Sequence, residues 1–247
     1  MNPADPLTTQ KRPGLLESAV LKLFTRSAHV LDVEEVGGAF RIVTLGGEAL
    51  RGVGWTPGDK IQIQFGGWVQ RTYTPIDWDG EHGRTRILVH LCADGPGTQW
   101  ARAVRTGDAC IVFGPRRSIK PAPPGFSIIV FGDETSMGLA VALSDHGSSP
   151  AVHGLFEVQT PVHATQVIGQ LRLDHAQVCR RLTNDAHFFE LETRMRALLR
   201  VHPAAHVMLT GKAGTIQHMS RLLRELDVAA GRRQSKAYWA PGKTGLD

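Results

Sequence analysis

Pro121-Ala122-Pro123-Pro124-Gly125, followed by Phe126-Ser127-Ile128-Ile129-Val130-Phe131-Gly132-Asp133-Glu134-Thr135, is the stretch on which the fold turns. The first five residues are stiff and cannot continue a strand, so they read as a linker between two domains. The run from Phe126 to Gly132 is continuously apolar, the pattern of a strand buried on both faces of a sheet. After it the spacing predicts a helix over Ser136–Leu143, a strand over Val152–Val158, a helix near Phe188–Leu199, a strand at His206–Leu209 and a helix at Gly214–Leu226. Strands alternating with helices imply a parallel sheet with its ligands at the carboxyl ends of the strands.

Upstream of the linker the period changes. Short β-type runs at His29–Glu34, Phe40–Leu45, Lys60–Phe65, Val69–Pro75, Arg86–Leu91 and Ala109–Phe113 are punctuated by Gly37-Gly38, Gly46-Gly47, Pro57-Gly58-Asp59, Gly66-Gly67 and Gly107-Asp108. Six closely spaced strands predict a small antiparallel β-barrel. Leu15–Phe24 has helical spacing and is expected to seal one end of it, behind a flexible stretch over 1–14. The expected organisation is therefore a β-barrel domain over 15–121 and an α/β domain with its terminal tail over 122–247, without internal repeats. For 247 residues, two domains is also the natural division.

Composition excludes several classes. The chain is 42% hydrophobic and 21% charged, with no low-complexity tract, as a folded protein should be. Its net charge of +5 is spread along the chain rather than gathered in basic runs, which favours small anions over nucleic acid. The local excess lies late, where six basic residues from Arg221 onward face three acidic ones. Cys92, Cys110 and Cys179 form neither a C-x-x-C pair nor a disulfide pattern, and read as buried thiols of a reducing compartment. Met1–Gly14 is polar, and no segment reaches about 18 uninterrupted apolar residues, so a cytoplasmic monomer without membrane insertion is expected. The histidines show no paired spacing with Cys or Glu, so no protein-held metal is expected; no G-x-S-x-G elbow marks a hydrolase.

Three segments carry chemistry. Arg71-Thr72-Tyr73-Thr74-Pro75 ends a predicted strand, with Arg71 and Tyr73 on one face and Thr72 and Thr74 on the other. An aromatic plate, a hydroxyl and a fixed cation are what an isoalloxazine and its diphosphate require; a strand with an exposed Arg and a half-buried Tyr fits the same residues. His90 ends the next strand, and Gly95-Pro96-Gly97-Thr98 allows close backbone approach, with Thr98 placed to cap a helix from Gln99 whose free N–H groups suit a diphosphate. The same turn also serves as a plain connector. Gly132-Asp133-Glu134-Thr135 follows the buried strand and sets Thr135 near a helix N-cap, although no G-x-G-x-x-G is present.

Together with Trp100-Ala101, Gly114-Pro115, and Tyr238-Trp239 before Gly242-Lys243, these segments resemble the siderophore-interacting protein family. That family is the FAD-dependent ferric-siderophore reductase branch of the ferredoxin–NADP reductase superfamily. The resemblance runs from about Ala28 to Gly245. It implies that Arg71 faces the FAD diphosphate, that Thr72 belongs to the same FAD-binding segment, and that Tyr73 stacks on the flavin with Thr74 near its N5. These last two are the residues at the reacting ring. It further implies that His90 and Gly95, Pro96, Gly97 and Thr98 touch the ribityl and diphosphate, and that Gly132, Asp133, Glu134 and Thr135 line the NAD(P)H cleft. Gly211 and Lys212 look like a second dinucleotide-facing loop. Lys212 departs from the family pattern, where Glu is expected; it reads either as a partner for a 2′-phosphate or as a solvated lysine. Trp239, beside Tyr238, reads either as folding back over the flavin or as a docked tail. The implied partner is a ferric siderophore, an anionic iron chelate, with Arg116, Arg117, Arg232, Arg233, Lys236 and Lys243 as candidate attractors.

Overall fold

A computed structural model describes residues 25–64, 69–91, 95–144 and 151–243. The helix expected over Leu15–Phe24, the stretch 1–14, Cys92 and Gly66-Gly67 lie outside them. Among the described residues, strands β1 (Thr25–Val36), β2 (Phe40–Gly46), β3 (Lys60–Gln64), β4 (Gln70–Tyr73), β5 (Pro75–Asp79), β6 (Arg84–His90) and β7 (Ala109–Arg116) form one sheet in the order β4-β3-β7-β1-β2-β6-β5. All its pairings are antiparallel. Alternate residues turn inward, as Thr85, Ile87 and Val89 do on β6, and meet Val43, Leu45, Ile61, Ile63 and Val112 in a core.

Seven strands replace the expected six because β5 covers residues that no expected run included: the run Val69–Pro75 holds β4 and ends at the first residue of β5. Pro75 has no N–H to give to a ladder, so pairing with β3 stops at Tyr73 and a new strand starts at the proline, pairing with β6. The two strands at opposite ends of the sheet order are thus joined through a single residue, Thr74. The sheet curls until its margins meet there.

The second sheet is wholly parallel: β8 (Ile128–Asp133), β9 (Val152–Val158), β10 (Ala176–Arg180), β11 (His206–Lys212) and β12 (Arg233–Trp239), in the order β10-β9-β8-β11-β12. Every residue of β8 and β9 is buried, the polar Asp133, His153 and Glu157 among them, as in strands covered on both faces. Helices α2 (Met137–Ser144), α3 (Pro161–Gln170), α4 (Phe188–Val201) and α5 (Ala213–Glu225) cover the faces, while the shorter α1 (Pro96–Ala103) belongs to the first sheet. Sequence periodicity misses α3, β10 and β12. The first buries only Ala164 and Val167, the second only Cys179, and the third is an edge strand with no fully buried residue, so none shows a strong period. The tail that could have docked loosely is that edge strand, hydrogen-bonded along β11.

Both sheets share one apolar cluster, in which Val36, Phe40, Ile42 and Ile76 meet Val130, Met137, Leu139 and Phe156. Gly138 lies at this contact, where an added Cβ would sit at ordinary van der Waals distance, 3.5 Å from Ile76 Cγ2 and 3.6 Å from the Thr74 carbonyl oxygen. The loop from Arg117 to Ser127 carries the expected linker and is largely exposed. Strand β8 has β9 on one side and β11 on the other, so the crossover direction reverses there, where ligands of such sheets bind.

Candidate active site

Thr74, where the first sheet closes, faces the carboxyl ends of the second. Between them lies a cleft of about 410 Å³. Its barrel wall is made by Arg71, Thr72, Tyr73, Thr74, His90, Gly95, Gly97 and Thr98, and its α/β wall by Asp133, Glu134, Thr135, Lys236, Tyr238 and Trp239. The structure thus brings most of the sequence-derived residues to one place.

On the barrel wall, Tyr73 packs partly against the core, its ring 6.3 Å from that of Trp100. Burial drives its hydroxyl pKa upward, with Arg71 partly opposing, so it stays a neutral phenol. Arg71 Nη1 donates to the Gln70 carbonyl at 2.7 Å, which fixes the guanidinium. Helix α1 begins at Pro96 with Gly95 as its N-cap and without a side-chain cap; Thr98 is buried in its first turn rather than capping it, because Pro96 starts the helix earlier. The Gly97 and Thr98 N–H groups precede the first intrahelical donor, Gln99, and belong to the helix's unspent set. Gly97 is required: an added Cβ would stand 2.8 Å from Tyr73 Oη and 3.2 Å from Arg71 Cγ. His90 packs on Phe40 with ring centroids 4.6 Å apart. Burial pulls its pKa down, against the raising effect of Glu134, and favours the neutral imidazole. An aromatic ring, a held guanidinium, free backbone N–H groups and a glycine cradle fit a flavin with a diphosphate.

The α/β wall is tied by buried carboxylates. Asp133 Oδ1 accepts the Thr135 N–H at 2.8 Å and also the Thr135 hydroxyl, and Oδ2 accepts Trp239 Nε1–H at 2.7 Å. The cap is therefore Asp133, not Thr135, since the extended backbone at Asp133 aims its carboxylate back at the turn. Burial raises the Asp133 pKa despite these donors. Glycines make room for this knot. A Cβ on Gly132 would fall 2.1 Å from Ser136 Oγ, and one on Gly211, at φ +95°, would fall 2.6 Å from Asp133 Oδ2.

A second knot was not legible in sequence. Glu134 Oε1 accepts the Gln159 N–H at 2.6 Å, and Oε2 accepts Arg181 Nη2–H at 3.0 Å. The same nitrogen donates to the Glu157 carbonyl. The Glu157 carboxylate is buried and accepts from Thr215 Oγ1 at 2.7 Å, with His187 Nε2 at 2.9 Å. His187 Nδ1 accepts the Leu182 N–H, so Nε2 carries the hydrogen and donates. Arg181 and Gln159 line the cleft, as do Lys60 and Ser118 on the barrel side. Arg180-Arg181 at the end of a β-type run was the available signal for the first of these.

Several candidate residues stand elsewhere. Pro96, Gly132, Gly211 and Lys212 are set back from the cleft lining, with Lys212 at the start of α5. Of the six candidate attractors, Lys236 reaches the cleft and five do not. Arg232 donates to the Pro203 and Ala205 carbonyls, and it and Arg233 lie at the amino end of β12, because a parallel edge strand sends its first residues to the far side. Arg116 is bound to Gln62, while Arg117 and Lys243 are exposed away from the lining. Cys110 and Cys179 are buried, and burial pushes their thiols up to about 11 and about 12. Among the described residues no cluster of His, Cys, Asp or Glu could hold a metal ion, and no helix is long and apolar enough to cross a membrane.

Residues 66–119 match the family model of the siderophore-interacting FAD-binding domain. No curated protein matches the chain. Among solved structures, it is similar to a siderophore utilization protein from T. fusca (22% identity, TM-score 0.72, covering 90% of this chain and 95% of that one). It is similar to the siderophore-interacting protein SipS from Aeromonas hydrophila (20%, TM-score 0.71, 90% and 93%). A phthalate dioxygenase reductase, described as modular for electron transfer from pyridine nucleotides to [2Fe-2S], shares the fold at 13% identity and TM-score 0.72, covering 90% of this chain and 71% of that one. Residues 66–119 thus match a siderophore-interacting FAD-binding domain, and the chain as a whole shares the two-domain fold of these structures.

Proposed function

We propose that this protein is a FAD-dependent reductase that takes hydride from NAD(P)H and passes electrons to a ferric siderophore. The observation that carries the reading is the meeting, in one cleft, of Arg71, Tyr73, Thr74 and the Gly95–Thr98 turn with the carboxyl ends of a parallel sheet. The family match over the segment holding the first of these supports it. FAD, when bound, supplies the chemistry that accepts a hydride and releases electrons singly. The chain's part is to bind and orient. Arg71 and the N–H groups of Gly97 and Thr98 hold the diphosphate, Tyr73 supports the ring, and Asp133, Glu134 and Thr135 shape the place of the nicotinamide.

No side chain has to move a proton in the hydride step, which agrees with walls built of a neutral phenol and an imidazole favoured as neutral. The iron arrives as substrate. Hard oxygen chelators hold Fe(III) far better than Fe(II), so reduction releases the metal without destroying the ligand. Lys236, in the cleft lining, meets the anionic chelate. The test is the visible spectrum of the purified protein before and after anaerobic NADPH or NADH, followed by turnover. Flavin bands that bleach, with faster turnover of ferric chelates than of quinone, free flavin or a partner redox protein, are the expected result. Colourless, FAD-supplemented protein would overturn the reading. Preference for another acceptor would overturn its siderophore part alone.

A further inference from the structure

Arg232, which the cleft leaves out, lines a second cavity at the other end of the parallel sheet. This hollow of about 340 Å³ lies by the amino ends of β11 and β12, where α4 has ended and the chain leaves α5. The cleft lies at the carboxyl ends of the same strands, so a strand's length, roughly 20 Å, separates the two.

The lining holds three arginines and no carboxylate; the rest of it is apolar. Arg196, Leu199 and Arg200 stand three and four residues apart on α4 and so share one of its faces. Arg232 comes from the turn before β12, and its Nη1 donates to the Pro203 carbonyl at 2.6 Å and the Ala205 carbonyl at 3.3 Å, which fixes the guanidinium. Those bonds use neither Nη2 nor Nε, and the planar fork keeps their N–H groups for another acceptor. Arg196 reaches the carboxylate of Glu192 only at 4.0 Å. Arg200, in the last turn of α4, also suits the negative end of the helix dipole, but that accounts for one cation of the three. Beneath them Val228 is buried and Leu199 and Leu226 are half-buried, so the floor is apolar.

We infer that this cavity binds a small organic anion, a carboxylate or sulfonate carried on an apolar body, at a site separate from the cleft. Charge selects the anion, since the fixed fork of Arg232 can pair with a carboxylate while Arg196 and Arg200 add to the field. The floor selects the body. A bare inorganic anion leaves Leu199, Leu226 and Val228 uncovered, whereas an aryl or acyl group buries them. The volume is that of a site for one small ligand. None of this depends on what occupies the cleft.

The experiment is calorimetric titration of the full chain, supplemented with FAD, with naphthoate and with acetate as probes. Naphthoate is expected to bind once per chain, at least about fivefold more weakly to Arg196→Glu and to Arg200→Glu, as loss and reversal of a surface charge should give. Its affinity should be unchanged in Lys236→Glu, which alters the cleft, and in Arg117→Glu, which alters an exposed cation elsewhere. Acetate, with the same charge and no apolar body, should bind at least about tenfold more weakly than naphthoate. Two arginine variants are made so that loss of fold in one, seen by circular dichroism, leaves the other to decide. Absence of naphthoate binding at millimolar concentration overturns the inference, as does an affinity unchanged in the folded arginine variants. Weakening by Lys236→Glu would move the ligand to the cleft, equal weakening by Arg117→Glu would reduce it to general charge attraction, and acetate matching naphthoate would leave the floor no part; each overturns it too.

Discussion

Tyr73 and Gly97 form one device. The glycine exists so that the helix start can lie against the phenol and the Arg71 stem, and a methyl group there would meet both. Tyr73→Ala and Gly97→Ala are expected to weaken FAD binding by at least about tenfold, roughly 1.4 kcal/mol, measured by flavin fluorescence titration. Tyr73→Phe should retain most of the affinity, since the ring and not an ionised hydroxyl is used. Trp239 acts differently. Its Nε1–H satisfies a carboxylate oxygen of Asp133, which is almost wholly buried. Trp239→Phe should lower stability by about 1–3 kcal/mol in urea unfolding, the cost of leaving a buried acceptor unpaired. The Arg71–Thr74 segment was legible as the end of a strand, which it is, while its place beside a flavin came only from the resemblance. The cap at Gly132–Thr135 was misassigned between Asp133 and Thr135, since either side chain can cap and the backbone angle at Asp133 selects one.

At the scale of elements, β9 carries a second titrating feature at its amino end, away from the cleft. His153 is buried, with ring centroids 4.0 Å from His202 and 5.2 Å from His175. Burial first, then the two neighbouring histidines, hold its pKa below the ordinary value. The folded state therefore resists protonation while the unfolded chain takes up a proton near pH 6.5. Stability should be complete above that value and fall as pH drops through it toward the lower folded pKa. His153→Leu is expected to flatten this decline between about pH 7 and 5 in a series of thermal melts. An equal decline in wild type and variant would assign it to other groups. Periodicity found the strongly buried elements β8 and β9 and missed α3, β10 and β12, whose few inward residues leave no pattern to detect. Strand β5 was missed as well, since the expected run ended at Pro75, where β5 begins.

The whole molecule places its site on a joint. Because Phe40, Ile42 and Ile76 share an apolar cluster with Val130, Met137 and Phe156, the two sheets should unfold together. Far-UV circular dichroism and tryptophan fluorescence are expected to give coincident transitions, and two separated ones would refute a shared core. Charge acts at the same scale. With a net charge of +5 and Lys236 at the cleft, the KM for an anionic ferric chelate should rise with ionic strength. Lys236→Glu should raise it several-fold further while leaving FAD content unchanged. Arg232 and Arg233 show how far composition can mislead, for they belong to the same basic excess as Lys236 yet lie at the amino end of the strand whose middle residue is Lys236. By itself the sequence determined the antiparallel strands before the linker, the parallel sheet after it and the segments proposed to hold a flavin diphosphate, because hydrophobic period, proline and glycine act within a few residues of themselves. Only the tertiary structure decided which cations reach the cleft, that Glu134, Glu157, Arg181 and His187 form one knot, and that the Tyr238 hydroxyl lies 3.4 Å from that of Thr74. Those contacts join residues far apart in the chain, and the direction of an edge strand and the closing of a sheet fix them rather than any local pattern.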